Sequence, residues 1–130
     1  MIESKPLVSI IVNCYNGEKF LEECLSSIKN QTYKNWELIF WDNQSSDNSS
    51  KIFKKFKDRR FKYFLSKKKT VLYEARNLAI KKAQGEFLAF LDVDDFWDHK
   101  KLSLQIPKFK KKKLDWFIVI FINITTTIKK

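Results

Sequence analysis

The segment Gly85-Glu86-Phe87-Leu88-Ala89-Phe90-Leu91-Asp92-Val93-Asp94-Asp95 decides how the rest of the chain is read. Its middle, Phe87–Leu91, is a short, continuous apolar run, the pattern of a strand covered on both faces of a sheet. That run passes directly into a stretch, Asp92 to Asp98, in which four of seven residues are acidic. Acids at strand ends most often serve as turn or cap residues. Concentrating like charge just beyond a buried strand is unfavourable, however, unless a cation compensates it. Side chains of an extended backbone alternate with period two, so Asp92 and Asp94 are expected on one side, able to share Mg2+ or Mn2+.

Working back toward the N-terminus, the same alternation of elements recurs. Leu7–Val12 is a β-branched apolar run that reads as a first strand and stops at Asn13-Cys14-Tyr15-Asn16-Gly17. Phe20, Leu21, Cys24, Leu25 and Ile28 follow at helical spacing. Trp36–Trp41 reads as a second strand, ended by the polar cluster Asp42–Asn48; Ile52, Phe53 and Phe56 then mark a helix with Asp47 or a neighbouring Ser as N-cap. Phe61–Leu65 is a short third strand. After Lys67–Lys69, a helix from about Leu72 to Ala83 carries Leu72, Ala75, Leu78, Ala79 and Ala83 on one stripe, with Gly85 placed where a helix end favours positive φ. Beyond the acidic cluster lie the solvated basic segment Lys108–Lys113 and a last strand-like run, Trp116–Ile124.

This order predicts an α/β protein with an open, mostly parallel sheet and helices on both faces. Ligands of such sheets bind outside the carboxyl ends of the strands. The polar clusters Cys14–Gly17, Asp42–Asp47 and Asp92–Asp95 all fall there, which makes that edge the expected site.

Composition sets the outer limits. The 130 residues, 44% hydrophobic and 15% aromatic, suffice for one core and predict a single domain over residues 1–130. The formal charge is +11, and Arg occurs only at 59, 60 and 76, so Lys dominates the basic residues. Lysine is a hydrated point charge, whereas readers of nucleic acid favour arginine, so no nucleic-acid partner is expected. A basic surface does suit an anionic phosphosugar or an anionic membrane face. Cys14 and Cys24 read as buried free thiols. The polar Met1–Pro6 and the short run after it predict no secretory signal, making the cytoplasm the expected compartment. Trp116–Ile122 is too short to span a bilayer as a helix.

Several linked motifs, taken together, resemble the family 2 glycosyltransferases of the GT-A, Rossmann-like fold, over residues 7–106. Val8-Ser9-Ile10-Ile11-Val12 with Tyr15-Asn16 is similar to that family's opening strand and nucleotide-contacting turn. Trp41-Asp42-Asn43-Gln44-Ser45-Ser46-Asp47 is similar to its second-strand motif. Glu74-Ala75-Arg76-Asn77-Leu78-Ala79-Ile80 and Gly85–Asp95 resemble its Ala-Arg-Asn helix and metal-binding strand, and Trp97, Lys101-Leu102 and Gln105 its tail. Asn13-Cys14 and Asn43-Gln44 depart from the usual Pro-Thr and Asp-Gly.

The resemblance implies a donor site for a nucleotide-diphosphate sugar, usually a UDP-sugar. Cys14, Tyr15 and Asn16 would hold base and ribose, and Asp42 would accept a hydrogen bond from the base. Arg76 would lie near the nucleotide or its phosphates. Asp92 and Val93 would approach the ribose, with Asp94 the direct ligand of Mn2+ or Mg2+, Asp92 sharing it and Asp95 in support; Trp97 would pack beneath. It further implies transfer with inversion to a saccharide or lipid-linked acceptor, peripheral membrane association at the inner face, and a fold incomplete at the C-terminus. The general base would lie beyond residue 130, leaving no catalytic residue identified here and weak or absent turnover. The competing reading is a non-catalytic nucleotide-binding or partner-binding module derived from such an enzyme. A phosphoryl-transfer enzyme is disfavoured because the two glycines, Gly17 and Gly85, form no Gly-rich phosphate loop.

Overall fold

The structure, a computed structural model, describes residues 5–111 and 118–120. The element order is β1 (Val8–Cys14), α1 (Glu18–Lys29), β2 (Trp36–Asp42), α2 (Ser49–Lys54), β3 (Phe61–Leu65), α3 (Leu72–Ile80), β4 (Phe87–Phe90), α4 (Lys101–Lys111) and β5 (Ile118–Ile120). The strands form one sheet in the order β3-β2-β1-β4-β5, and every pairing is parallel. The expected mostly parallel sheet is thus wholly parallel in its described part. The remainder of the run Trp116–Ile124 lies outside the described residues.

Period-two alternation along the strands divides the core between the two faces. Val8, Ile10, Val12 and Cys14 of β1, with Leu38 and Phe40 of β2, face α1, α2 and α4, meeting Leu21, Leu25, Ile28, Phe53, Leu102 and Ile106. Ile11, Ile39, Trp41 and Leu88 point the other way, against Ala75 and Ala79 of α3. Small residues on α3 let that helix approach the sheet closely. Both cysteines are free and buried, as expected, and burial raises the pKa of each thiol.

Four local expectations are corrected. Leu72 opens α3 but is exposed, because the helix buries only its Ala75–Ala79 stripe. That helix ends at Ile80, short of Ala83. Gly85 has no positive φ. A Cβ on it would stand 2.6–2.7 Å from Ser9 Oγ, Leu7 O and Ser9 N, so close approach to β1, and not a left-handed turn, requires glycine. Asn48 is the N-cap of α2, and Asp47 instead serves two helices: Oδ1 accepts from Ser49 N–H and Oδ2 from Glu18 N–H, at 2.9 and 3.0 Å.

Candidate functional site

The strand order reverses direction at β1, which lies between β2 and β4, so the loops leaving β1, β2 and β4 meet at one carboxyl edge. In-register pairing sets Cys14 beside Asp42, and Leu91 N–H donates to Ile11 O at 3.1 Å, keeping the acidic segment level with the end of β1. The first two loops are tied together. Asn16 adopts φ +50°, and its Oδ1 accepts from Ser46 N–H and Asp47 N–H at 2.8 and 3.3 Å, while its own N–H donates to Ser45 Oγ. Asn, a residue that tolerates the left-handed region, is a sound choice for that position. Its side-chain oxygen acts as a latch between loops.

The acidic cluster forms through a turn. β4 ends at Phe90, and Asp95 N–H donates to Asp92 O at 3.0 Å, closing Asp92–Asp95. The expectation that strand alternation aligns Asp92 and Asp94 is therefore replaced: turn curvature brings the carboxylates together. Oxygens of Asp92, Asp94 and Asp95 lie within 4.8 Å of one another, and Asp92 and Asp94 are exposed. Hard carboxylate oxygens at this spacing fit a divalent cation such as Mn2+ or Mg2+. Val93 turns inward, where its side chain fills the space above Gly17; a Cβ there would come within 2.7 Å of Val93 Cγ2.

Arg76, on α3, reaches this turn. Its Nη2 lies 3.3 Å from Asp92 Oδ1, an exposed pair that places a guanidinium beside the acids. The neighbouring Ala75 lines a crevice of about 230 Å³ together with Asn13, Cys14, Tyr15, Asn43, Lys69, Thr70 and Leu72. Tyr15 is exposed, and Lys69 Nζ stands 3.6 Å from its ring centroid. Nδ2 of Asn13 is buried without a hydrogen-bond partner in the protein.

Asp42 sits behind this crevice, 1% exposed. Its Oδ1 accepts from Ser45 N–H at 2.8 Å and its Oδ2 from the Tyr63 hydroxyl at 2.5 Å. Burial and the facing carboxylate together push the Tyr63 pKa up, keeping the hydroxyl a donor. Of the residues singled out from sequence, the structure brings Cys14 and Tyr15 into one crevice, lined also by Ala75, and sets the adjacent Arg76 beside Asp92 in the cluster Asp92, Asp94 and Asp95. Asn16 and Asp42 are engaged in holding loops, and Trp97 is buried in the core on the α1 side.

Lys69, Thr70 and Asn13 were not singled out. Asn43 explains the first two: its Nδ2 donates to Thr70 O at 2.7 Å and its Oδ1 accepts from Thr70 N–H at 3.0 Å, so the loop after β3 is drawn to the crevice. The side chain of Gln44, at φ +66°, donates to Ser66 O and holds the same loop. The rule that picked the loops after β1, β2 and β4 applies equally to β3. It would have found Lys69.

Comparison with known proteins settles the lineage of this edge. The family described as "Glycosyl transferase family 2" matches residues 9–129. The chain belongs to that family. Among its relatives, the UDP-Glc:alpha-D-GlcNAc-diphosphoundecaprenol beta-1,3-glucosyltransferase WfgD of Escherichia coli is 42% identical over 110 residues, which make up 85% of this chain and 44% of WfgD. Staphylococcus aureus TarS 1–349 in complex with UDP-GlcNAc superposes with a TM-score of 0.76 at 29% identity, over 80% of this chain and 31% of that one. The mannosyltransferase PcManGT of Pyrobaculum calidifontis, in complex with GDP-Man and Mn2+, gives 0.71 at 25% identity, over 79% and 31%. This family 2 chain therefore spans less than half the length of these relatives. Their GT-A fold is the one its sheet adopts.

Proposed function

We propose that this chain carries the donor-binding part of an inverting glycosyltransferase that moves a sugar from a UDP-sugar to a saccharide or lipid-linked acceptor. The observation that carries the reading is what one carboxyl edge of the sheet holds: a crevice at Tyr15 and Ala75, the guanidinium of the adjacent Arg76, and three converging carboxylates. A base and ribose would occupy the crevice against Tyr15 and the backbone of Cys14, with Asn13 Nδ2 offering an unused donor. Asp42, held by Tyr63 and Ser45, would reach the base once the crevice rearranges around it. Arg76 would turn from Asp92 to the phosphates. A divalent cation held by Asp94 and Asp92, with Asp95 in support, would supply the positive charge that stabilises a departing diphosphate.

Relatives support this reading: one is named for transfer from UDP-Glc to a diphosphoundecaprenol-linked sugar, and another is seen with UDP-GlcNAc. Inversion requires a base that takes the acceptor's proton as its oxygen attacks the anomeric carbon in line. The proposed setting is the cytoplasmic face of a membrane, which suits a charge of +11. Among the described residues no helix is long and apolar enough to cross a bilayer.

Calorimetric titration with UDP tests the proposal. Heat should appear with Mn2+ present and weaken at least about tenfold in Asp94→Ala, as expected when a bridging cation is lost. Absence of heat in the unaltered chain, or the same isotherm for the variant, would rule the reading out.

A further inference from the structure

Among the described residues six large apolar side chains stand exposed, and four of them, Leu65, Val71, Leu72 and Tyr73, flank the lysine run Lys67–Lys69. This strip lies at the β3 edge of the sheet, the edge opposite β5. Beside it opens a cleft of about 470 Å³, walled by Trp41 and Phe64 of the sheet and Leu78 of α3. Lys67 and Lys68 line it from the loop, Lys81 and Lys82 from the end of α3, and no lining residue is acidic. Lys82 Nζ stands 5.5 Å from the Phe64 ring centroid, so its stem lies along the aromatic wall.

Lysines alone would describe an ordinary solvated face. Here they are flanked by exposed aliphatic and aromatic side chains, an arrangement that costs free energy in water and suits a bilayer interface. Apolar side chains enter the boundary of the acyl region while ammonium groups extend to headgroup phosphates. Nucleic acid would attract the lysines equally but would leave Leu65, Val71 and Leu72 nothing to bury against. The α2 region provides the contrast: Lys51, Lys54, Lys55 and Lys57 are exposed there with no exposed large apolar neighbour.

We propose that the corner formed by Leu65, Lys67, Lys68, Tyr73, Lys81 and Lys82 docks the protein on an anionic phospholipid bilayer. The proposal rests on the donor-site reading only for its purpose, which is to hold the neighbouring crevice at a surface where a lipid-linked acceptor resides. The two fail separately, because vesicle binding and UDP binding are measured independently on each variant.

The test is co-sedimentation with vesicles of mixed phosphatidylcholine and phosphatidylglycerol against pure phosphatidylcholine. The unaltered chain should bind the mixed vesicles. Replacing Lys67, Lys68, Lys81 and Lys82 by Gln should lower that binding at least about tenfold, the scale expected for four lysines at an anionic leaflet. The same change in charge at Lys51, Lys54, Lys55 and Lys57 should leave most of it. Leu65→Ser with Tyr73→Ser should weaken binding at high salt too, where a purely ionic contact is already screened. Titration of each variant with UDP and Mn2+ verifies that the fold and crevice survive. Equal loss in the two lysine variants, no binding of the unaltered chain to the mixed vesicles, or random duplex DNA bound with the same sensitivity would each overturn the proposal.

Discussion

The two ends of the sheet treat charge in opposite ways. At the amino end, Glu37 is 3% exposed and fully engaged. Its Oε1 accepts from Ser9 Oγ at 2.6 Å and Gln84 N–H at 2.7 Å, and its Oε2 from Lys62 Nζ at 2.6 Å. Nearby, Arg60 grips Asp58 with Nε and Nη2 at 3.0 and 2.7 Å and stacks 3.7 Å above the Trp36 ring centroid. At the carboxyl end, Asp92 and Asp94 lie exposed beside a third carboxylate, and Lys67, Lys68 and Lys69 are exposed on the loop after β3. Charge at the amino end is locked into the fold, whereas the carboxyl edge keeps its acids clustered, with exposed Asp92 held by the partly exposed Arg76.

Mutations of acids at the two ends should therefore change stability in opposite directions. The largest effect is expected at Glu37→Ala, which strands Ser9 Oγ and the Gln84 N–H and removes the partner of Lys62, costing about 3 kcal/mol. Burial works against the charged form of Glu37, but its hydrogen bonds from Lys62, Ser9 and Gln84 outweigh it and lower the pKa. Chemical denaturation would measure the loss. A neutral result would mean that the amino-end network is ornamental.

Asp58→Asn should cost less, about 1 kcal/mol near neutral pH for a partly exposed pair. Here the pH dependence sharpens the comparison. The Arg60 guanidinium holds the Asp58 carboxyl down at about 2 against an ordinary 3.8. A depressed carboxyl contributes stability that is full above pH 3.8 and lost as pH falls toward 2. The unaltered chain should lose more stability than Asp58→Asn across that window, and equal acid profiles would break the account.

The smallest effect is also the most diagnostic in sign. Asp94→Asn relieves repulsion within an exposed acidic cluster, so in the absence of divalent cation its Tm should rise slightly, as site residues often trade stability for function. Adding Mn2+ should raise the Tm of the unaltered chain and not that of the variant. A fall in Tm without metal would assign the cluster a structural role.

Most of the architecture was legible in the sequence because continuous apolar runs such as Trp36–Trp41 and Phe87–Leu91 leave little choice but buried parallel strands. The acids and Tyr15 stood out as polar residues placed where such strands end, and Arg76 through the resemblance of its helix to the family's Ala-Arg-Asn motif. What escaped depended on contacts distant in sequence. Gly85 looked like a helix cap, yet its role is set by Ser9, 76 residues away. The loop-holding bonds of Asp42 and Asn16, made with Tyr63, Ser46 and Asp47, likewise join segments far apart in sequence. Lys69 and Thr70 are drawn in by Asn43, a pairing that no local pattern announces.

The account stands most directly on where a donor nucleotide binds. Amide chemical-shift mapping of the chain with UDP and a diamagnetic divalent ion, then with Mn2+, would locate it. Shifts should be confined to the loops after β1, β2, β3 and β4, around Tyr15, Asn43, Lys69 and Arg76, with Mn2+ broadening strongest at Asp92–Asp95. Perturbation centred on the amino end, around Ser9, Glu37 and Arg60, or broadening that spares Asp94, would contradict it.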